Sequence, residues 1–223
     1  PATTVKYAEL ALQLIPDDDF DRRARATTIL EVIHWASGNL ESAIRGIGDW
    51  MESMTLLGNH VFVVASAFGV ADLLVGLGRL GEAERAYQDA LQLAAQHGPE
   101  AEHITAHHHL GLSMIYRQRG DDILAAHHLK RAAECGLQTT LVDWQHRWHV
   151  AQSQMKEAEG DLETALTLLD EAKRVYIQSA VPDLRPIAAL KARIYLKQGC
   201  PDKARAWAAE RGLSLADEVS YMH

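Results

Sequence analysis

The chain is poor in the features that mark many functional classes. Cysteine occurs only twice, at Cys135 and Cys200, far apart and without a spacing motif. No disulfide framework can be drawn from such a pair, which reads as two ordinary buried thiols of a reducing compartment. No apolar run approaches the ~20 residues that a membrane-spanning helix requires. No charged-then-apolar leader opens the chain, so export has no support and a cytoplasmic location without membrane contact is expected. Positive charge is outnumbered: 22 Lys and Arg stand against 30 Asp and Glu, for a formal net charge of −8. That balance excludes a long-range attraction of this chain to phosphate backbones or anionic lipid.

Catalytic signatures are missing as well. There is no GxxxxGK[ST] phosphate loop, so no nucleotide cofactor is expected here. Nor does spacing assign any nucleophile–base pair, so the chain is not expected to be an enzyme. The carboxylate runs Asp17–Asp19 and Asp121–Asp122 read as turn and cap groups. What the chain does have is apolar content: 48% of its 223 residues are hydrophobic, enough to bury a substantial core.

That content is periodic. Glycines at Gly38, Gly78, Gly120, Gly160 and Gly199 are each followed five residues later by an alanine: Ala43, Ala83, Ala125, Ala165 and Ala204. His34, Leu74, Tyr116, Lys156 and Tyr195 stand four residues before them. A period near 40 marks a solenoid of stacked units. Each unit is predicted to be a pair of antiparallel helices. The glycine ends the first helix by taking positive φ, and Asn39, Asp121 and Asp161 cap the second. The alanine lets the two axes approach closely. The segment Tyr7–Asp19 is expected to be the second helix of a preceding unit. Ser179–Pro186 is expected to be an inter-repeat loop, and "LADEVSYM" near the end is expected to open another helix. With Pro1 as first residue, both ends look cut from a longer protein. The expectation is a single all-α domain over residues 1–223, a right-handed superhelical α-solenoid of about eleven or twelve helices.

The pattern resembles the tetratricopeptide repeat, notably in "GRLGEAERAYQDAL" and "ALQLIPDD", with a period longer than the usual 34. The longer form is similar to the repeat region of the large ATP-dependent LuxR-type, MalT-like transcriptional activators. The similarity is strongest at "DWQHRWHVAQSQMKEAEGDLETALTLLDEAKRVY", "VPDLRPIAALKARIYLKQG" and "ERGLSLADEVSYM". This resemblance implies a sensor region for a small-molecule inducer. It places nucleotide binding and DNA binding in separate domains of a full-length regulator that self-associates.

Counting back 3, 6, 10 and 13 residues from each glycine defines one face of each first helix, expected to line the concave surface. It holds Trp35, Val32, Thr28 and Arg25 in the first unit, and Val75, Asp72, Phe68 and Ala65 in the second. The third has Arg117, Met114, Leu110 and His107; the fourth has Glu157, Gln154, Val150 and Arg147. The fifth has Leu196, Arg193, Ala189 and Pro186. Trp144 and Trp148 flank Arg147, and Arg185 enters the fifth unit. Forked donors, a carboxylate and an aromatic face suit a small polar molecule such as a sugar or an acid. Arg117, Trp144, Arg147, Gln154, Glu157 and Arg193 are therefore the candidate ligand-binding residues. Ordinary solvated ion pairs are the competing account of the same set, and a scaffold for a peptide or protein partner is the competing function.

Histidines are dense in the middle of the chain. His103 and His107 have i, i+4 spacing, as in a helical metal pair, but no cysteine or HExxH motif accompanies them. Packing or solvated histidines are expected, with no metal. His109 and His149 occupy the position of Thr27, Ala67 and Ala188, which predicts contact between stacked repeats. Trp50 and Trp207 are expected to pack between units.

Overall fold

The computed structural model describes residues 2–16, 18–137, 143–177, 186–210 and 212. The side chains of Ala2, Phe20, Asp21, Ala24, Arg25 and Thr28 are not among those described. The expectations for the Ser179–Pro186 loop, for Arg185, for Asp17 and for a helix at "LADEVSYM" therefore lie outside the described residues.

Among the described residues there are twelve helices and no strand. They are α1 (Ala2–Leu14), α2 (Phe20–Ala36), α3 (Leu40–Leu56), α4 (His60–Gly76), α5 (Leu80–His97), α6 (Pro99–Glu102), α7 (Ala106–Gln118), α8 (Asp122–Gly136), α9 (Trp144–Ala158), α10 (Leu162–Arg174), α11 (Ile187–Lys197) and α12 (Pro201–Glu210). Hairpins form from α2 and α3, α4 and α5, α7 and α8, α9 and α10, and α11 and α12; each packs on the next, and the one-turn α6 joins two of them. This is the expected helical solenoid. The helix α1 precedes the first hairpin and packs on α2, but it ends at Leu14 instead of running to Asp19. Pro16 accounts for the difference, because the residue before a proline is pushed out of the helical region. Asp19 then caps α2 by accepting from the Arg22 amide at 3.2 Å.

The glycine turn shows why the repeat tolerates such variety four residues before it. Gly78 has φ +75°, and the amide of Arg79 donates to the Leu74 carbonyl at 2.9 Å. This is the closing bond of a Schellman turn. The same bond joins Asp121 to Tyr116 and Asp161 to Lys156, both at 2.9 Å. The turn uses the backbone of that position, which leaves its side chain unconstrained. Asn39, Asp121 and Asp161 accept from the amides of Ser42, Leu124 and Thr164 at 3.4, 3.0 and 3.1 Å, so the expected caps are in place.

Ala43, Ala83, Ala125 and Ala165 are all fully buried where the hairpins close, while Ala204 is half-buried. Seven residues before each glycine lies the facing position of the first helix. Ser113 and Ser153 stand there in the third and fourth units, each donating its hydroxyl to the carbonyl of the facing alanine, Ala125 or Ala165, at 2.8 Å. Ala71 and Ala192 occupy it in the second and fifth units, both buried. In the first unit it is Glu31, whose Oε1 is buried without a hydrogen-bond partner. Its Cγ lies 3.0 Å from where a Cβ on Gly46 would be, so the glycine makes room for the carboxyl.

The core is a series of apolar clusters along the stack. Ala71, Leu74, Ala83, Tyr87, Leu112 and Ile115 join α4, α5 and α7. Val150, Ala165, Leu169, Ile187 and Ile194 join α9, α10 and α11. Each large aliphatic buried this way contributes roughly 1.5–3 kcal/mol. Tyr87 reaches α7 only because Gly111 has no side chain: a Cβ there would come within 2.1 Å of the phenol ring. No described helix is long and apolar enough to cross a membrane.

Candidate functional site

Part of the face counted back from the glycines meets the first helices of neighbouring units, which form a first row along the stack. Phe68 and Asp72 of α4 meet His107 of α7 and Arg147 of α9. Arg147 donates through Nη1 to Asp72 Oδ2 at 2.5 Å and through Nε to Asp143 Oδ2 at 2.8 Å. Asp143 immediately precedes α9, where a carboxylate is favoured by the helix dipole. His107 Nε2 lies 2.7 Å from Asp143 Oδ1 and donates to it, and the Tyr87 hydroxyl donates to Asp72 Oδ1 at 2.5 Å. The Phe68 ring closes the cluster, 5.4 Å from the guanidinium carbon of Arg147 and 4.7 Å from the His107 ring.

The electrostatics of this cluster are self-consistent. Burial opposes the charge of Arg147, but Asp72 and Asp143 outweigh it and push its pKa up. Burial would raise Asp143, yet the hydrogen bond from His107 and the charge of Arg147 hold it well below the usual carboxylate range. Burial lowers His107, and its bond to Asp143 only partly offsets that, so the ring is neutral near pH 7. Three units are thereby tied by one polar network in which each carboxylate is engaged by two donors. Such an arrangement fixes geometry and leaves no carboxylate poised as a base.

The six candidate residues do not form one site: Glu157 and Arg193 are paired, with Gln154 one turn from Glu157, while Arg147, Arg117 and Trp144 lie in other surroundings. Arg147 belongs to the network just described, with 29% of its side chain exposed. Glu157, 7% exposed, lies between two cations of α11: Arg193 Nη2 at 2.6 Å and Lys197 Nζ at 2.8 Å. Burial would raise its pKa, but these two bonds prevail and lower it. Gln154 is buried one turn away, and its Oε1 has no partner. Arg117 is half-buried near the end of α7. Trp144 opens α9 and lays its ring over Gly136 of α8, where a Cβ would approach to 2.3 Å. It therefore faces the neighbouring hairpin, and the aromatic ring over Arg147 is Phe68. Arg193 is the most open of the charged members, with 47% of its side chain exposed.

Three participants escaped the sequence reading. Asp143 and Lys197 each carried a signal, since Asp143 stands four residues before Arg147 and Lys197 four after Arg193. Tyr87 carried none that distinguishes it from a core aromatic.

The histidines divide differently from expectation. His103 lies outside α7, which begins at Ala106, so His103 and His107 do not share a helix face and the i, i+4 premise fails. The polar partner of His109 lies within its own unit. The His109 Nδ1 lies 2.9 Å from Nδ1 of His128, on the other helix of its own hairpin. The cause is helix phase, because this position points into the α7–α8 interface. His149 is likewise influenced by Arg174 of its own hairpin, after burial, in a lowered pKa. His108 is fully buried, with its ring edge-on to Phe68 and Tyr87, and burial lowers it to about 3. His109 falls to about 3 and His128 to about 4, burial again being the main cause. Among the described residues, no three of His, Cys, Asp and Glu stand together as metal ligands. Trp50 packs edge-on against Phe62 at 6.0 Å, between the first and second units as expected.

Comparison with known proteins adds two findings. The family model described as the MalT-like TPR region matches residues 2–223. The crystal structure of BtubC (BKLC) from P. vanneervenii resembles this one with a TM-score of 0.59 at 16% identity, covering 98% of this chain and 92% of that one. At that identity the likeness concerns the fold alone. No curated protein matches.

Proposed function

We propose that this chain, which belongs to the family of MalT-like TPR regions, is the signal-sensing and signal-transmitting superhelix of a bacterial LuxR/MalT-type transcriptional regulator. In this reading it binds a small polar inducer on its first-row helices and has no catalytic role. Nucleotide and DNA belong to other domains of the full-length regulator, which self-associates in the cytoplasm when induced.

The observation that carries this reading is that charged groups on the first-row helices bond across units. Asp72 of the second unit holds Arg147 of the fourth, and Glu157 of the fourth holds Arg193 and Lys197 of the fifth. A ligand that competes for these partners changes how units stack, which is what a transmitting element requires. Arg117, Trp144, Arg147, Gln154, Glu157 and Arg193 are the proposed contacts, with the exposed guanidinium of Arg193 foremost.

Calorimetric titration with small neutral sugars and small organic acids tests this, using the parent chain, Arg117→Ala and Arg193→Ala. A lost charged hydrogen bond corresponds to about 1.5–3 kcal/mol, or a ten- to hundred-fold weaker Kd. Thermal melts should show both variants folded. Normal binding by both variants would remove the site assignment, and no binding of any member of either class would remove the inducer reading.

A further inference from the structure

The turn edge of the stack is tied from unit to unit. Arg79, one residue after Gly78, reaches back to Glu41 at 3.1 Å. Arg119, one before Gly120, reaches Glu84 at 2.6 Å. Gln198, one before Gly199, donates to Glu163 at 2.8 Å. These contacts join the second unit to the first, the third to the second and the fifth to the fourth.

Among the described residues, the joint between the third and fourth units lacks the equivalent. Glu159 stands one before Gly160, and Ile123 takes the place, three residues after the turn glycine, that Glu41 and Glu163 hold in their units. An isoleucine cannot receive such a tie, and it is 85% exposed. Glu159 turns back instead to Lys156 of its own helix, at 2.6 Å.

A groove of about 420 Å³ opens at this joint, between α8 on one wall and α9 with α10 on the other. Its apolar lining includes Ala126, Leu129, Ala133, Trp148, Met155 and Leu168. It lies on the face of α9 opposite to Arg147, Gln154 and Glu157, so it is separate from the inducer contacts proposed above. Two lysines, Lys130 and Lys156, also line it. Lys156 is neutralised by Glu159. Lys130 is exposed and makes no ion pair within 4 Å among the described residues, and the Glu159 carboxylate that also lines the groove is taken up by Lys156.

We propose that this groove is a second ligand site, for a small molecule with a flat apolar body and one carboxylate. Its volume lies within the ~300–1,000 Å³ of small-molecule sites. The Trp148 ring and the Leu129, Met155 and Leu168 side chains supply apolar surface for the body. Lys130 supplies the charge that an apolar acid needs and a neutral analogue does not use. A ligand held here touches both sides of the joint that the edge ties leave unfastened, and so stiffens the stack between the third and fourth units.

Calorimetry on the complete chain with 1-naphthylacetate and its neutral amide, 1-naphthylacetamide, tests the assignment. The acetate should saturate a single site and bind about two- to five-fold more tightly than the amide, the upper range for one exposed charge pair. Lys130→Glu should remove that advantage while leaving amide binding unchanged. Ala126→Trp, at an exposed position on the lining, should fill the groove and weaken both probes about ten-fold or more. Arg193→Ala should bind both as the parent does, which separates this site from the inducer site. Absence of saturable binding, equal affinity for acid and amide, or parent-like binding by Ala126→Trp would each overturn the proposal.

Discussion

Replacing Glu31 by glutamine should stabilise the protein above neutral pH and do little in acid. The carboxyl sits where the other units place alanine or serine, and one of its oxygens is buried without a partner. Burial, with a smaller contribution from the charge of Asp49, raises its pKa from 4.5 to about 7. Between those values the unfolded chain has already lost the proton that the folded chain keeps. The stability this group contributes is therefore fully present below pH 4.5 and is lost as pH rises through about 7. Each tenfold change in proton affinity is worth ~1.4 kcal/mol, which sets an upper bound of about 3.4 kcal/mol. The side chain is partly open to solvent, and screening reduces this to about 1–2 kcal/mol. Glutamine is nearly isosteric with the neutral acid and does not titrate. Urea denaturation of both proteins at half-unit intervals from pH 4.5 to 8.5 should show stabilities that nearly coincide at pH 4.5, diverge from there to about pH 7 and run parallel above it. With a slope of about 2 kcal/mol per molar, the midpoints should differ by roughly 0.5–1 M at pH 8. A difference that stays flat across the range, or that grows toward acid, would show that Glu31 is not held protonated by the fold.

Ala83→Leu and Ala165→Leu should each cost about 1–3 kcal/mol, because both positions are fully buried where a hairpin closes; unchanged denaturation midpoints would refute the close approach. Arg147→Ala should destabilise by about 2–3 kcal/mol, since it leaves Asp72 and Asp143 facing each other without their shared cation. Adding Asp72→Asn to that variant should cost less than the sum of the two single changes, as read from a double-mutant cycle; strict additivity would mean the pair is not coupled. The purified chain should show no ATP hydrolysis in a phosphate-release assay and no duplex-DNA binding by fluorescence anisotropy at physiological salt, given its charge of −8. Salt-resistant DNA binding would contradict that.

The sequence by itself determined the repeat: where the chain turns, which residue caps the next helix and which alanine is buried at the crossing. These are local matters. A positive-φ glycine, an Asx cap and a side chain small enough for close axes each act within a few residues of themselves, so a period near 40 could be read directly. The family similarity was legible for the same reason.

Only the tertiary structure decided what the charged positions do. Arg147 and Asp72 are 75 residues apart, and nothing local to either announces the other. The 3.6-residue period placed Phe68, Asp72, His107 and Arg147 on equivalent faces, but it did not say whether those faces look into open groove or onto the next helix. Helix phase about the stacking axis settles that, and it follows from how whole units pack. The same phase turned Trp144 onto Gly136, away from the side of Arg147, and brought His109 against His128. Periodicity specifies a face, while its neighbour is set by the packing of units whose sequences are far apart.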